Sequence, residues 1–434
     1  MKYIYGLSKS GKSIINYLNS INERFVCWDD NIQIRKNLKK NENYKLVEPR
    51  NLKFNLITET FVSPGISLNN KKLIFLKNSN IKLYRDLEFY GRLTKKKKII
   101  AITGTNGKST TTKLIGDILN YNEIENFVGG NLGPPLLDFK NSINKKNMHV
   151  IELSSFQLES FKSFKPTISI LLNISSDHLD RYANFSEYAK QKEKIFNFRK
   201  LSFNIISVDT LETRKIYNKN KDKLIPISQN VLKKGIFLKN GSITDNYFEQ
   251  KRVILLDSIS PSLFGSFNTE NILAAYVVVK ILKLDIKNFI QVLKNFQGLP
   301  HRLERIFKHN NFEIINNSKA TNLDSAIKSI NEYQNIFLIL GGKAKDKDFT
   351  EILKYRKNIN QIFLIGECQL KIFAQINKSI QCHICNNLTN AVKKIFQYVN
   401  HSKGFKTILF APGCSSFDQF KDYEERGELF KKLI

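Results

Sequence analysis

The stretch Ile99 to Lys113, IIAITGTNGKSTTTK, decides the fold class. Its first five residues are the continuous apolar, β-branched run that a strand buried on both faces requires. Gly104 and Gly107 permit a sharp reversal, and Ser109 and Thr110 open a helical pattern. Strand, glycine turn and helix in that order build a phosphate cradle. The turn (Gly104, Thr105, Asn106, Gly107) and the first helical residues aim backbone N–H groups at an anion, and the helix dipole favours the same guest. Lys108 supplies a cation for the β- and γ-phosphates, and the Ser109 hydroxyl is a ligand type for Mg²⁺. Only Thr105 and Asn106 separate the two glycines, which is shorter than the usual loop. A plain glycine turn is the competing reading, and the loop alone names no reaction. The chain has no NKxD base-reading motif, so ATP is expected in preference to GTP.

The surrounding chain sets further bounds. Its 434 residues, 41% of them apolar, suffice for several globular domains. It has no 18-residue apolar run, and its start, MKYIYGLSKSGK, lacks a signal-peptide core, so a cytoplasmic protein with no membrane partner is expected. Five cysteines in a chain this long argue for reduced thiols, and Cys382 and Cys385 have no second pair at zinc-site spacing. The net charge of +30 points toward nucleic acid, but the excess is mostly dispersed Lys in a sequence also rich in Asn and Ile. No nucleic-acid partner is expected, and the field favours anionic substrates.

Three α/β units follow from the alternation of apolar runs with helical patterns: residues 1–92, 93–297 and 298–434. The expected class is α/β, with Rossmann-like outer domains and a central parallel sheet of the P-loop ATPase kind. In the first unit, GLSKSG (Gly6 to Gly11) follows a strand and precedes a helix, and Asp29 and Asp30 close the next strand. This is a dinucleotide-type arrangement with Ser8 at a glycine place, or an ordinary strand-to-helix turn. Asn240 and Gly241 mark a hairpin. In the central unit Glu152 ends a strand, where a carboxylate completes a Mg²⁺ shell or is merely solvated. His178 stands between Asp177 and Asp180, which suits a metal-oriented or a structural imidazole.

Read together, the motifs GTNGKSTTTK, GGNLGPPL, IELSSFQLE, SSDHLDRY with YAKQKEKIF, FQGLPHRLE, NNSKATN and APGCSSFDQF resemble, in this order, the Mur ligases of peptidoglycan synthesis. GLPHR, SKATN and SFDQF are most similar to the branch that joins D-glutamate to UDP-N-acetylmuramoyl-L-alanine. The short loop is that family's form. The resemblance implies domains for the UDP end, for ATP and for the amino acid, and an ADP-forming ligase passing through an acyl phosphate, with roles in cell shape and division. It implies ATP and two Mg²⁺ as cofactors and a monomer with no other partner. By similarity Lys108, Glu152, His178 and Lys192 are catalytic, with Ser109, Glu152, His178 and a carbamylated Lys192 toward the metals. From the residues alone, Lys192 reads as a surface lysine. Asn268, Arg302 and Asn317 would face the nucleotide, and Thr110 would close the loop. Ser63, Pro64 and Gly65 would meet the uracil diphosphate, and Asn131 and Ser155 the sugar-peptide. Lys319, Thr321 and Lys345 would take the glutamate side chain, with Ser416 and Phe417 at its α-carboxylate.

Three positions depart from the family: Phe267 for a histidine, Asn317 for an aspartate and Ser8 for a glycine. Ser8 raises the question of positive φ, and Asn317 that of a neutral acceptor weaker than a carboxylate. Other readings are a sister ligase such as a folylpolyglutamate synthase, a basic nucleic-acid-binding ATPase, and an inactive homologue.

Overall fold

The computed structural model describes residues 1–38, 41–131, 133–138, 148–177, 181–249, 252–255, 259–263, 265, 268–344, 348–399 and 404–434. His178, Phe267 and Lys345 lie outside them. Among the described residues, twenty strands form three sheets, one for each domain of the α/β fold.

The first sheet is parallel throughout and contains β1 (Lys2–Tyr5), β2 (Phe25–Trp28), β3 (Tyr44–Leu46), β4 (Glu59–Val62) and β5 (Lys82–Tyr84) in the order β3-β2-β1-β4-β5. Its first turn leads into the helix Lys9–Ser20, with Ser8 at the N-cap and φ −72°. The position needs no left-handed backbone, so serine stands there without strain. Asp29 accepts hydrogen bonds from the amides of Leu7 (2.6 Å) and Asn31 (2.8 Å). Its carboxylate braces the turn from within.

The second sheet holds β6 (Lys98–Thr103), β7 (Asn126–Gly130), β8 (Met148–Glu152), β9 (Ile168–Leu171), β10 (Phe203–Ser207), β11 (Ile225–Ser228), β12 (Ile236–Lys239), β13 (Ser242–Asp245) and β14 (Arg252–Leu255), in the order β14-β13-β12-β11-β10-β9-β6-β8-β7. It is parallel from β7 to β12 and ends in two antiparallel strands. Asn240 (φ 49°) and Gly241 (φ 71°) make the two-residue turn between β12 and β13, the left-handed pair that such a hairpin demands. Because β6 lies between β8 and β9, chain connections diverge at its carboxyl end, where an open α/β sheet forms its ligand crevice.

The third sheet comprises β15 (Glu304–Lys308), β16 (Phe312–Asn316), β17 (Ile336–Gly341), β18 (Ile359–Ile365), β19 (Cys382–Asn386) and β20 (Lys406–Phe410), ordered β15-β16-β20-β17-β18-β19. Only β15 is antiparallel.

The chain gathers into two compact units. One contains Met1–Ile174, Arg181–Leu256 and Glu270–Val292, and so holds the first two sheets; the other contains Ser175–Asp180, Asp257–Thr269 and Leu293–Ile434. The first two sheets share a unit because one apolar cluster joins Ile4 and Phe61 of the first to Ile99 and Leu153 of the second through Leu87, Phe89 and Tyr90. These last three lie on the helix Asp86–Leu93. Gly91 permits that contact, since a Cβ there would stand 2.6 Å from the backbone of Phe164. The Lys-rich segment after the helix is a short turn before β6 starts at Lys98.

Candidate active site

Ile99 to Ile102 are at most 2% exposed, so β6 is a rigid post from which the loop springs. The helix Lys108–Tyr121 starts immediately beyond it, with Gly107 at the N-cap in the left-handed region (φ 86°). A Cβ on Gly107 would come 2.3 Å from Oδ1 of Asn271, an oxygen that accepts a hydrogen bond from Thr111 Oγ1 at 2.9 Å. Gly107→Ala is therefore expected to cost about 1–2 kcal/mol from the backbone alone. Calorimetry should show the midpoint falling by roughly 2–8 °C, together with a raised KM for ATP.

The loop is held by a residue that motif reading did not single out. Asn173, which follows β9, accepts from the amides of Thr105 (backbone O, 2.8 Å) and Asn106 (Oδ1, 2.9 Å). Its Nδ2 donates to Asn106 O (3.1 Å) and to Glu270 Oε2 (2.7 Å). A polar residue closing the apolar run SILLN was its sequence signal. Tyr188 OH meets Thr105 Oγ1 at 3.1 Å.

Two cations converge on one oxygen of this loop. Lys108 Nζ donates to the carbonyls of Gly104 (2.9 Å) and Thr105 (2.8 Å). Lys192 Nζ donates to the same Gly104 carbonyl at 2.7 Å and lies 4.7 Å above the Tyr188 ring. Lys192 is 2% exposed, which overturns the surface-lysine reading. The helix Phe185–Glu193 buries Tyr188 and Lys192, one turn apart, on the same face.

Glu152 is the register partner of Ile102, two residues before the loop begins at Gly104. It is 1% exposed and accepts from Asn131 Nδ2 at 2.7 Å, and Asn131 N donates to Glu152 O at 2.9 Å. Ser109, Thr110 and Ser155, of the same unit, are also buried. The donor set is all oxygen, a carboxylate and hydroxyls, which fits a hard cation such as Mg²⁺. Among the described residues no three His, Cys, Asp or Glu side chains cluster as a metal site.

The SPGI turn follows β4. Ser63 donates through its amide to Tyr5 O (2.9 Å) and through Oγ to Gly6 O (2.7 Å), which ties Ser63, Pro64 and Gly65 to the first turn of the domain.

The second unit carries the other predicted residues around the carboxyl ends of β16, β17 and β20. Asn317 is buried; its Nδ2 donates to Ser329 Oγ (2.7 Å) and its Oδ1 accepts from Leu303 N (3.3 Å). Ser329 Oγ in turn donates to Ser325 O. The amide thus supplies a donor that a carboxylate lacks, which accounts for asparagine in place of aspartate. Arg302 lies between His301 (φ 61°) and Leu303 (φ 46°), so Asn317 also steadies the strained turn that presents it. Lys319 Nζ sits 3.7 Å over the Tyr423 ring, and Thr321 N donates to Lys319 O. Ser416 is buried, whereas Phe417 is 69% exposed. Asn268 donates to Ser262 O at 3.3 Å. Arg426, fully buried and absent from the sequence expectations, donates to the carbonyls of Ser318 (2.8 Å) and Cys414 (3.1 Å). It thereby joins the SKATN and APGCSS segments, and burial pushes its guanidinium down to about 10.

Comparison with known proteins reaches beyond these motifs. Residues 102–279 match the Mur ligase middle domain. A UDP-N-acetylmuramoylalanine–D-glutamate ligase of Rickettsia bellii is 37% identical across 99% of this chain and 96% of its own. The chain belongs to the Mur ligase family. A second relative of the same description, from Rickettsia prowazekii, is 38% identical with the same coverage of both chains. Among solved structures, the UDP-N-acetylmuramate-alanine ligase of Thermotoga maritima superposes with a TM-score of 0.60 at 16% identity, covering 99% of this chain and 98% of that one. A type C pseudomurein peptide ligase from Methanothermus fervidus gives 0.60 at 18%, covering both chains completely. The three-domain α/β fold is that of the Mur ligases.

Proposed function

We propose that this Mur ligase uses ATP to join D-glutamate to the carboxyl group of UDP-N-acetylmuramoyl-L-alanine, a step of peptidoglycan precursor synthesis. The meeting of Lys108 and Lys192 on the Gly104 carbonyl, next to Glu152, is the observation that carries it. Full-length similarity to ligases of that description supports the choice of substrates. The solved Mur ligase from Thermotoga maritima in complex with ADP, of the same fold, supports the nucleotide.

A carboxylate does not condense with an amine in water, because hydroxide is a poor leaving group. Transfer of the γ-phosphoryl group makes an acyl phosphate, and the neutral amine of D-glutamate then displaces phosphate through a tetrahedral intermediate. Such transfer demands positioned positive charge more than covalent chemistry. In this reading the loop Gly104–Gly107, whose Thr105 and Asn106 amides are held by Asn173 and not aimed at phosphate, shapes the cradle, the amides of Ser109 and Thr110 hold the phosphates, and Lys108 balances the charge that moves between them. Asn131 orients Glu152. Ser109 and Glu152 would hold one Mg²⁺, and His178 with carbamylated Lys192 a second, and ions bound there would neutralise phosphate oxygens. Ser155 lines the acceptor carboxylate, and His178 is also a candidate base for the amine. Asn268, Arg302 and Asn317 serve the nucleotide. Lys319, Thr321, Lys345, Ser416 and Phe417 serve glutamate. Residues 1–92, 93–297 and 298–434 are the corresponding domains.

Purified protein should release ADP and phosphate only when D-glutamate and the UDP-sugar peptide are both present. ADP release that needs neither, or that follows RNA instead, would reject the assignment.

A further inference from the structure

Five successive carbonyls of the substrate-facing turn are taken by two arginines. Arg85 Nη1 donates to Val62 O (3.1 Å) and Ser63 O (2.8 Å). Arg181 Nη2 donates to Pro64 O (3.1 Å) and Ile66 O (2.9 Å), and its Nη1 to Gly65 O (3.1 Å). Both guanidiniums share one carboxylate oxygen, Glu159 Oε2, which is paired with Arg85 and lies 3.3 Å from Arg181. The Arg181 guanidinium is also stacked 4.5 Å over the Phe156 ring, and its side chain is only 12% exposed. Burial and fivefold engagement are excessive for a surface turn of four residues, and the motif-based reading gave neither arginine a role.

The consequence follows from peptide geometry. In a planar trans peptide the N–H points opposite to the C=O. Drawing the Pro64 carbonyl onto Arg181 turns the Gly65 amide the other way, out of the turn. Ser63 N and Ile66 N are bonded to Tyr5 O and Ser63 O, and Pro64 has no N–H, so the Gly65 amide is the donor that this turn offers an anion, with the two guanidiniums behind it. A lysine cannot reproduce this, because its compact ammonium lacks the flat fork that spans three carbonyls.

We infer that Arg181 is a positioning residue which, with Arg85 and Glu159, fixes the 63–66 turn in the form that receives the diphosphate of the UDP substrate. The inference rests on the proposed reading of that turn as the UDP site. Arg181 immediately follows the SSDHLD segment, so a single residue ties the diphosphate turn to the central domain. It sets affinity for the UDP end and takes no part in phosphoryl transfer.

The test compares wild type, Arg181→Lys and Arg181→Ala, with Arg50→Ala, an exposed arginine paired with Glu48, as control. Steady-state kinetics gives each KM and kcat, and titration calorimetry with UDP alone gives binding without turnover. Arg181→Lys is expected to raise the KM for the UDP substrate and the Kd for UDP by about tenfold or more, with kcat, KM for ATP and KM for D-glutamate changed less than about threefold. Arg181→Ala should regain UDP affinity with added ethylguanidinium, for which a cavity of about 450 Å³ lined by Arg181, Glu159 and Tyr182 gives room. Should the alanine variant not fold, the lysine variant decides alone. Wild-type binding of UDP with unchanged affinity in Arg181→Lys, or loss of kcat with the UDP-substrate KM unaltered, would overturn the positioning role and leave the turn's reading intact. Failure of the wild type to bind UDP would overturn both.

Discussion

Lys108→Ala is expected to lower ligase turnover by about 10²–10³-fold at saturating substrates. The side chain contributes its charge where the γ-phosphoryl group passes between ATP and the acceptor carboxylate, inside a crevice walled by buried strands and therefore of low dielectric. The same ammonium holds the Gly104 and Thr105 carbonyls. Part of the loss should consequently appear as weaker ATP binding, and measuring kcat and KM for ATP separately apportions the two. Thermal midpoints should stay close to wild type, because Lys108 is only half-buried at the mouth of the loop. Turnover retained within about threefold would remove Lys108 from the mechanism.

The second large effect is expected at Lys192. Two ammonium groups bonded to one carbonyl in a buried place repel each other, a costly arrangement for a protein interior. Addition of CO₂ to the deprotonated Lys192 amine, with loss of a further proton from nitrogen, gives a carbamate and reverses its sign. A cation beside Lys108 becomes an anion, and two oxygen donors of the type Mg²⁺ prefers appear in the crevice. Lys192→Ala should therefore reduce turnover by about 10²-fold or more, and acetate or propionate added in millimolar amounts should restore a part of it by supplying the missing carboxylate. Mass spectrometry is a poorer probe, since a carbamate is labile. Absence of rescue, with the variant folded by circular dichroism, would rule out the carbamate and leave Lys192 as the structural partner of Gly104 and Tyr188.

These two lysines differ in how far they could be read from the chain. Lys108 is legible because its chemistry is local: strand, glycine turn and helix are contiguous, and each is dictated by residues a few positions away. Lys192 sits in a run with Lys190 and Lys194, and no local feature distinguishes the inward one. Its burial is decided by where the helix Phe185–Glu193 lies against the loop, which is a property of packing between distant segments. Asn173 was missed for the same reason. Its side chain reaches Asn106 and Glu270, 67 positions before it and 97 after it.

The departures divide similarly. Ser8 and Asn317 raised doubts that only coordinates could address. Backbone dihedrals at Ser8 are ordinary, and the amide of Asn317 has a hydroxyl to serve in Ser329. Neither fact is encoded in spacing. For the acidic pair after β2, spacing left a dinucleotide-type turn and an ordinary one open, and only the structure shows the Asp29 carboxylate bonded to the amides of Leu7 and Asn31.

By itself, then, the amino-acid order determined the α/β class, the phosphate loop and the succession of ligase motifs, because apolar periodicity, glycine turns and helix starts are short-range properties. Tertiary structure decided which polar groups meet: Lys192 with Lys108 on the Gly104 carbonyl, Glu152 with Asn131, and Arg85 with Arg181 around Glu159. Those pairings depend on desolvation and on hydrogen-bond geometry between segments tens of residues apart, and it is they that turn a nucleotide-binding loop into an arrangement suited to forming an amide.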